Sequence, residues 1–276
     1  MRFVVEEIMD TPTRYLLAGD GAPVMLVHGV GMSADSWLLS LPALAKEYRV
    51  AAPDLLDNGF TGSGPYKGGP PQPYIVDHLI ALADQLEFER FTLVGSSLGA
   101  MIALLTYFKI PDRIEKIVLV GPGSTVCPPP GPGDPPPLQG SYENGKKAIE
   151  DPTYESCKAR LGRVFYDPAR VPDTVVAMQM LLYAMPGAMA QFERRMAGLR
   201  SPDARQYEVF SRLNEVKVPT LVLTGFEDIR GKFSAIAESA QRLPKGRLLP
   251  YERCGHWPHM EHPEDFSRDV LQFLKS

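Results

Sequence analysis

Phe91-Thr92-Leu93-Val94-Gly95-Ser96-Ser97-Leu98-Gly99-Ala100-Met101-Ile102-Ala103-Leu104-Leu105 is the stretch that decides the reading of the whole chain. Residues 91–94 have the bulk and length of a buried strand, and residues 100–107 are an apolar run that can continue as a helix. Between them, Gly95-x-Ser97-x-Gly99 leaves one hydroxyl at the tip of a strand-to-helix turn. So sharp a turn tolerates no bulk beside the serine, because a side chain at 95 or 99 would meet neighbouring backbone. The first amides of the following helix aim at the same place and can meet developing negative charge. Ser97 is the candidate nucleophile, and Ser96 competes only if the turn is shifted by one residue.

Outward from this turn, short apolar runs alternate with helix-compatible stretches. The pattern predicts strands over 24–27, 48–52, 116–120, 220–223 and 246–250, and helices over 36–46, 74–86, 233–241 and 263–274. Residues 3–8 and 14–18 can pair as an antiparallel start. The expected architecture is α/β: a mostly parallel twisted sheet with helices on both faces. The alternation stops after Val120. Residues 121–140 are crowded with proline and glycine, including Cys127-Pro128-Pro129-Pro130-Gly131-Pro132-Gly133-Asp134-Pro135-Pro136-Pro137, which lacks amide donors and torsional freedom and reads as a linker or extended lip. Residues 141–213 then show only helical patterns, rich in methionine, notably 175–185 and 189–199 on either side of Pro186-Gly187. The expected organisation is a core of 1–123 and 214–276, interrupted by a proline-rich lip and helical cap over 124–213.

A serine hydroxyl is a weak nucleophile until a base takes its proton, and the base needs an acid to orient it. Cys254-Gly255-His256-Trp257-Pro258 follows an expected strand, and Asp228 stands just beyond another in Thr224-Gly225-Phe226-Glu227-Asp228. Ser97, Asp228 and His256 become the candidate triad, with Glu227 as the competing acid. Acyl-type chemistry also needs amides where an oxyanion forms. Those of Leu98 and of Val30, in His28-Gly29-Val30-Gly31, are the candidates, and His28 itself reads as structural. His256, His259 and His262 recur every three residues, but Pro258 and Pro263 interrupt any helix that would align them, so no metal is expected. His259, His262 and Glu261 read as residues that stabilise this loop and the last helix.

Composition narrows the partners. The chain has 276 residues, 44% of them hydrophobic and 22% charged, with 29 Lys+Arg against 33 Asp+Glu. That excludes a disordered or collagen-like chain. A net charge of −4 with no dense basic run makes nucleic acid an unexpected partner. No run approaches the roughly 18 apolar residues of a membrane span, and Met1-Arg2-Phe3-Val4-Val5-Glu6-Glu7 lacks the blocks of a signal peptide. Cys127, Cys157 and Cys254 are scattered and odd in number, so they read as free thiols. A cytoplasmic protein with no membrane partner is the expectation.

Taken together, the glycine loop, the serine turn, the late acid, the later histidine and the inserted helices resemble the α/β-hydrolase superfamily over nearly the whole chain. Within it, residues 93–99, Ile110-Pro111-Asp112-Arg113-Ile114, Val118-Leu119-Val120-Gly121-Pro122-Gly123, Arg253-Cys254-Gly255-His256-Trp257 and Glu261-His262-Pro263 resemble the meta-cleavage product hydrolases of aromatic catabolism. The resemblance implies a small-molecule substrate, a vinylogous diketone from ring fission whose carbon-carbon bond is hydrolysed after ketonisation by the triad, with no cofactor. A homo-oligomer is compatible with it. Gly29, Ser96, Gln179 and Trp257 are the candidate substrate-binding positions. Two of them depart from the family pattern: Ser96 stands where the family carries asparagine, and Gln179 falls where the family places a carboxylate-binding arginine. Losing that arginine would favour a neutral ester or ketone over an acidic dienoate unless Arg163, Arg170, Arg194 or Arg195 replaced it. Carboxylesterase activity is therefore the alternative chemistry. A hydrolase-fold signalling protein with slow turnover is the alternative class.

Overall fold

The structure is a computed structural model that describes residues 1–128 and 138–276. Of the proline-rich lip expected over 121–140, residues 129–137 fall outside these residues, and Gly123–Val126 form a 3₁₀ turn. Eight strands form one sheet: β1 (Arg2–Glu7), β2 (Pro12–Ala18), β3 (Pro23–Val27), β4 (Arg49–Pro53), β5 (Phe91–Ser96), β6 (Ile114–Val120), β7 (Thr220–Gly225) and β8 (Gly246–Tyr251). Their order is β1-β2-β4-β3-β5-β6-β7-β8. β1 and β2 are antiparallel to their neighbours, and β4, β3, β5, β6, β7 and β8 run parallel. β5, which ends in the serine turn, is central and buried at every position, as expected of a strand covered on both faces.

Alternation along the strands divides the core. Val24, Leu26, Val94, Val118, Leu221 and Leu223 point to one face, where Trp37, Leu44, Phe266 and Phe273 cover them. Met25, Val27, Leu93, Ile117, Leu119 and Val222 point to the other. The first face is closed by α1 (Leu41–Leu44) and α10 (Pro263–Lys275), the second by α2 (Gln72–Gln85), α3 (Leu98–Lys109) and α8 (Phe233–Arg242). A continuous helix over 36–46 does not form. A 3₁₀ turn, Ala34–Trp37, is followed by the single α turn α1, with Pro42 in its opening positions. Proline has no amide to donate and is tolerated only at a helix start, so the helix restarts there.

Between β6 and β7 the chain leaves the sheet for α4 (Gln139–Glu150), α5 (Tyr154–Gly162), α6 (Asp173–Tyr183) and α7 (Ala188–Arg200). α5 starts with a capping box, Thr153 and Ser156 exchanging backbone bonds. Gly187, at φ 85°, makes the break between α6 and α7. Ile149, Leu161, Val176, Phe192 and Met196 from these helices join Met32, Leu98 and Val126 in the second-face cluster. No single helix among the described residues is long and apolar enough to cross a membrane.

Candidate active site

Ser97 sits between β5 and α3 at φ 54°, ψ −116°, a conformation that L-residues rarely adopt. The turn is possible only because its neighbours lack side chains. A Cβ on Gly95 would lie 2.1 Å from the Gly99 carbonyl oxygen, and one on Gly99 would lie 2.1 Å from that of Val27. The Ser97 amide donates to Val120 O at 3.1 Å, and Thr125 Oγ1 donates to the Ser97 carbonyl at 3.1 Å. Ser96 is buried at the end of β5, and its hydroxyl has no partner among the described residues.

The loop at 29–32 lies against this turn. A Cβ on Gly29 would stand 3.0 Å from that of Ser97, so Gly29 gives the serine its room. His28 is buried beneath the loop. Leu55 N donates to its Nε2 at 3.0 Å, which places the ring proton on Nδ1, where it is donated to Gly29 O at 2.8 Å. Burial lowers its pKa to about 4. His28 thus holds the loop as a neutral ring. The amide of Leu98, first residue of α3, has no carbonyl a turn earlier to bond. Val30, half-buried, follows Gly29 directly, and its amide is absent from the turn and loop bonds fixed among the described residues.

His256 and Asp228 come together from loops after β8 and β7. His256 Nδ1 is 2.9 Å from Asp228 Oδ2, both side chains being buried. The other carboxylate oxygen accepts the Arg230 amide at 2.7 Å. Glu227 turns away and accepts from Cys254 N at 3.0 Å. His256 packs over residues 121–123, where a Cβ on Gly123 would be 3.1 Å from its Cε1. Thr125, two residues on, is the one bonded to Ser97. The three histidines at 256, 259 and 262 do not converge. His259 packs against Trp37 with tilted rings, centroids 4.3 Å apart, and its buried ring nitrogens have no partner among the described residues. His262 stacks on Tyr251 and bonds Arg253 O at 3.1 Å. Among the described residues, no cluster of three histidine, cysteine or carboxylate side chains is placed to hold a metal.

The inserted helices bring a cation to this loop that sequence reasoning passed over. Gln179 is buried on α6 and accepts a 2.9 Å bond from Arg160 of α5. Arg160 also donates to Gly31 O at 3.3 Å and lies 4.0 Å from Met32 Sδ. All three partners are neutral, so its charge has no acidic partner among the described residues. Periodicity could not have found it: Arg160 and Gln179 are 19 residues apart and meet only because α5 and α6 pack side by side. Of the arginines weighed from sequence, Arg163 and Arg170 are exposed. Arg194 pairs with Asp57 and Ser63. Arg195 is buried and donates to the Asp57 carbonyl, with its Nε lacking a partner among the described residues. A polar cavity of about 30 Å³, lined by Gly31, Asn58, Gln179, Tyr183, Phe192 and Arg195 among others, adjoins the loop. Trp257 is buried beside His256, edge-on to Phe165 at 5.6 Å.

A parallel sheet with a strained serine at the end of its central strand, and an aspartate-held histidine on loops beyond later strands, defines a hydrolase class. Residues 24–269 match the model of the Alpha/beta hydrolase family, and the chain belongs to that family. It is 30% identical, over 99% of its own length and 94% of the other's, to a 2-hydroxy-6-oxononadienedioate/2-hydroxy-6-oxononatrienedioate hydrolase of Burkholderia vietnamiensis. It is 28% identical to the 2-hydroxymuconate semialdehyde hydrolase of Pseudomonas sp. strain CF600, covering 93% of this chain and 88% of that one. The solved structure of CumD, a meta-cleavage product hydrolase from Pseudomonas fluorescens IP01, superposes with a TM-score of 0.81 at 27% identity, covering 99% of this chain and 97% of that one.

Proposed function

We propose that this protein is a serine-dependent hydrolase that cleaves a carbon-carbon bond in an acidic, ring-fission type dienoate. Segments 1–123 and 214–276 would carry the chemistry, and 124–213 would select the substrate. Ser97 attacks the ketone carbonyl or activates water there, and His256 takes and returns the proton. Asp228 holds the imidazole with its proton on Nδ1. The Val30 and Leu98 amides receive the oxyanion. The dienol first ketonises, taking a proton at the carbon beside the reacting carbonyl; when the bond to that carbon breaks, its electron pair passes through the enone to the 2-oxo oxygen, which is protonated to give the dienol product, and water supplies the oxygen of the released acid. Gly29 and Trp257 border the reacting centre.

The observation that carries the substrate class is Arg160. The glutamine at 179 has no charge, yet it orients a guanidinium from the neighbouring helix over the loop at 29–32. Such a cation, fixed by neutral groups, suits a carboxylate in bidentate contact. The relatives named above act on acidic dienoates or related semialdehydes by their names, which favours the same reading. The test compares a 2-hydroxy-6-ketodienoate with a short-chain aryl ester. Fast Ser97-dependent loss of the dienoate's colour supports the proposal, whereas ester cleavage with the dienoate untouched makes the protein a carboxylesterase. Slow turnover of both, with a ligand-dependent rise in stability, would favour a signalling role.

A further inference from the structure

Glu261 ends the short helix α9 (Pro258–Glu261), and its side chain turns back into the protein, 2% exposed. One carboxylate oxygen accepts from Gly255 N at 3.0 Å and Trp257 N at 3.2 Å. The other accepts from Gly255 N at 3.0 Å and from Tyr166 N at 2.7 Å. Every partner is an N–H donor, so a carboxyl proton would find no acceptor and the arrangement serves the anion. Two of the amides flank His256. The third belongs to the segment between α5 and α6, which also receives the His256 amide, at 2.8 Å on Val164 O. The base of α9 is anchored from the opposite side: Ser40 Oγ donates to His259 O at 2.8 Å, and Trp37 packs against the His259 ring.

We propose that Glu261 is a positioning residue for His256. It fixes the backbone on both sides of the base and ties that backbone to the inserted segment, so one buried carboxylate sets where the imidazole stands and how residues 164–166 seat against it. The proposal rests on the reading of His256 as the base. The Glu261 carboxylate itself is taken up by backbone amides.

The test is Glu261→Gln, which keeps the volume but turns one acceptor into a donor facing amides. Glu261→Asp, which keeps the charge and retracts it by one methylene, is measured beside it. For the Gln variant, kcat on both the dienoate and the aryl ester is expected to fall about tenfold or more with KM within about threefold of wild type. Ser97 labelling by a fluorophosphonate should slow in parallel, because it needs the same base. The Asp variant should lie between. A folded Gln variant with wild-type kcat and labelling rate would overturn the assignment, as would a loss confined to KM or to melting temperature. If the Gln variant does not fold, a folded Asp variant with wild-type kcat overturns it equally. Ser97→Ala separates the two levels: wild-type turnover there removes the reading of the triad itself, whereas an essential Ser97 beside an indifferent Glu261 removes only this inference.

Discussion

At the single residue, the division of labour between Ser97 and Arg160 can be separated by experiment. Ser97→Ala removes one oxygen from a turn whose shape depends on Gly95 and Gly99. It is expected to lower kcat by about 10³-fold or more while leaving the melting temperature close to wild type, measured by turnover and calorimetry. Arg160→Met is expected to raise KM for an acidic dienoate about 10- to 100-fold and to spare a neutral aryl ester. Arg160→Lys should restore little, because an ammonium cannot reproduce the fork that spans Gln179 and Gly31. Equal KM changes on both substrates would refute the carboxylate role. The parts of the candidate site carry local signatures legible in sequence: the glycines around Ser97, the loop at 29–31, and Asp228 and His256 just past strands. Arg160 carries none. Its partner sits on another helix, and a missing charge at Gln179 read along the chain looked like a missing function.

At the level of elements, the strands and long helices could be placed from apolar periodicity, because β3, β5, β6 and β7 are covered on both faces and read as uninterrupted runs. The helix expected over 36–46 was the failure, since periodicity continued across Ser40 and Pro42 although the backbone could not. The segment is a 3₁₀ turn and one α turn whose side chains, Trp37, Leu41 and Leu44, still face the same cluster. α10 shows how the apolar stripe does its work: Phe266, Val270, Phe273 and Leu274 are buried, while Glu264 and Lys275 at its ends are not. Phe266 is wholly buried and touches both Trp37 and His259. Phe266→Ala is expected to cost about 3–5 kcal/mol, read as a lower urea midpoint at unchanged slope. A loss below about 1 kcal/mol would mean that the Trp37 cluster closes over the space.

For the molecule as a whole, acid stability follows from three buried neutral histidines. Burial lowers His28 and His78 to about 4 and His259 to about 3. Below about pH 6.5 the unfolded chain takes up protons at these rings while the folded chain does not, so stability falls as the pH falls, until the folded rings titrate. Each contributes a loss of about 2 kcal/mol between pH 7 and pH 5. Asp54, whose carboxyl burial pushes up, acts in the opposite sense. Urea unfolding at several pH values should therefore show a loss on acidification that is smaller in His259→Phe; identical pH slopes in the two proteins would exclude this contribution. The apolar cluster beneath α2 and α3 has a different consequence. It runs without interruption through Met32, Leu98 and Val126 into Leu161, Phe192 and Met196. The inserted helices are therefore no detachable module: grafting a relative's equivalent would mean rebuilding the floor on which it rests.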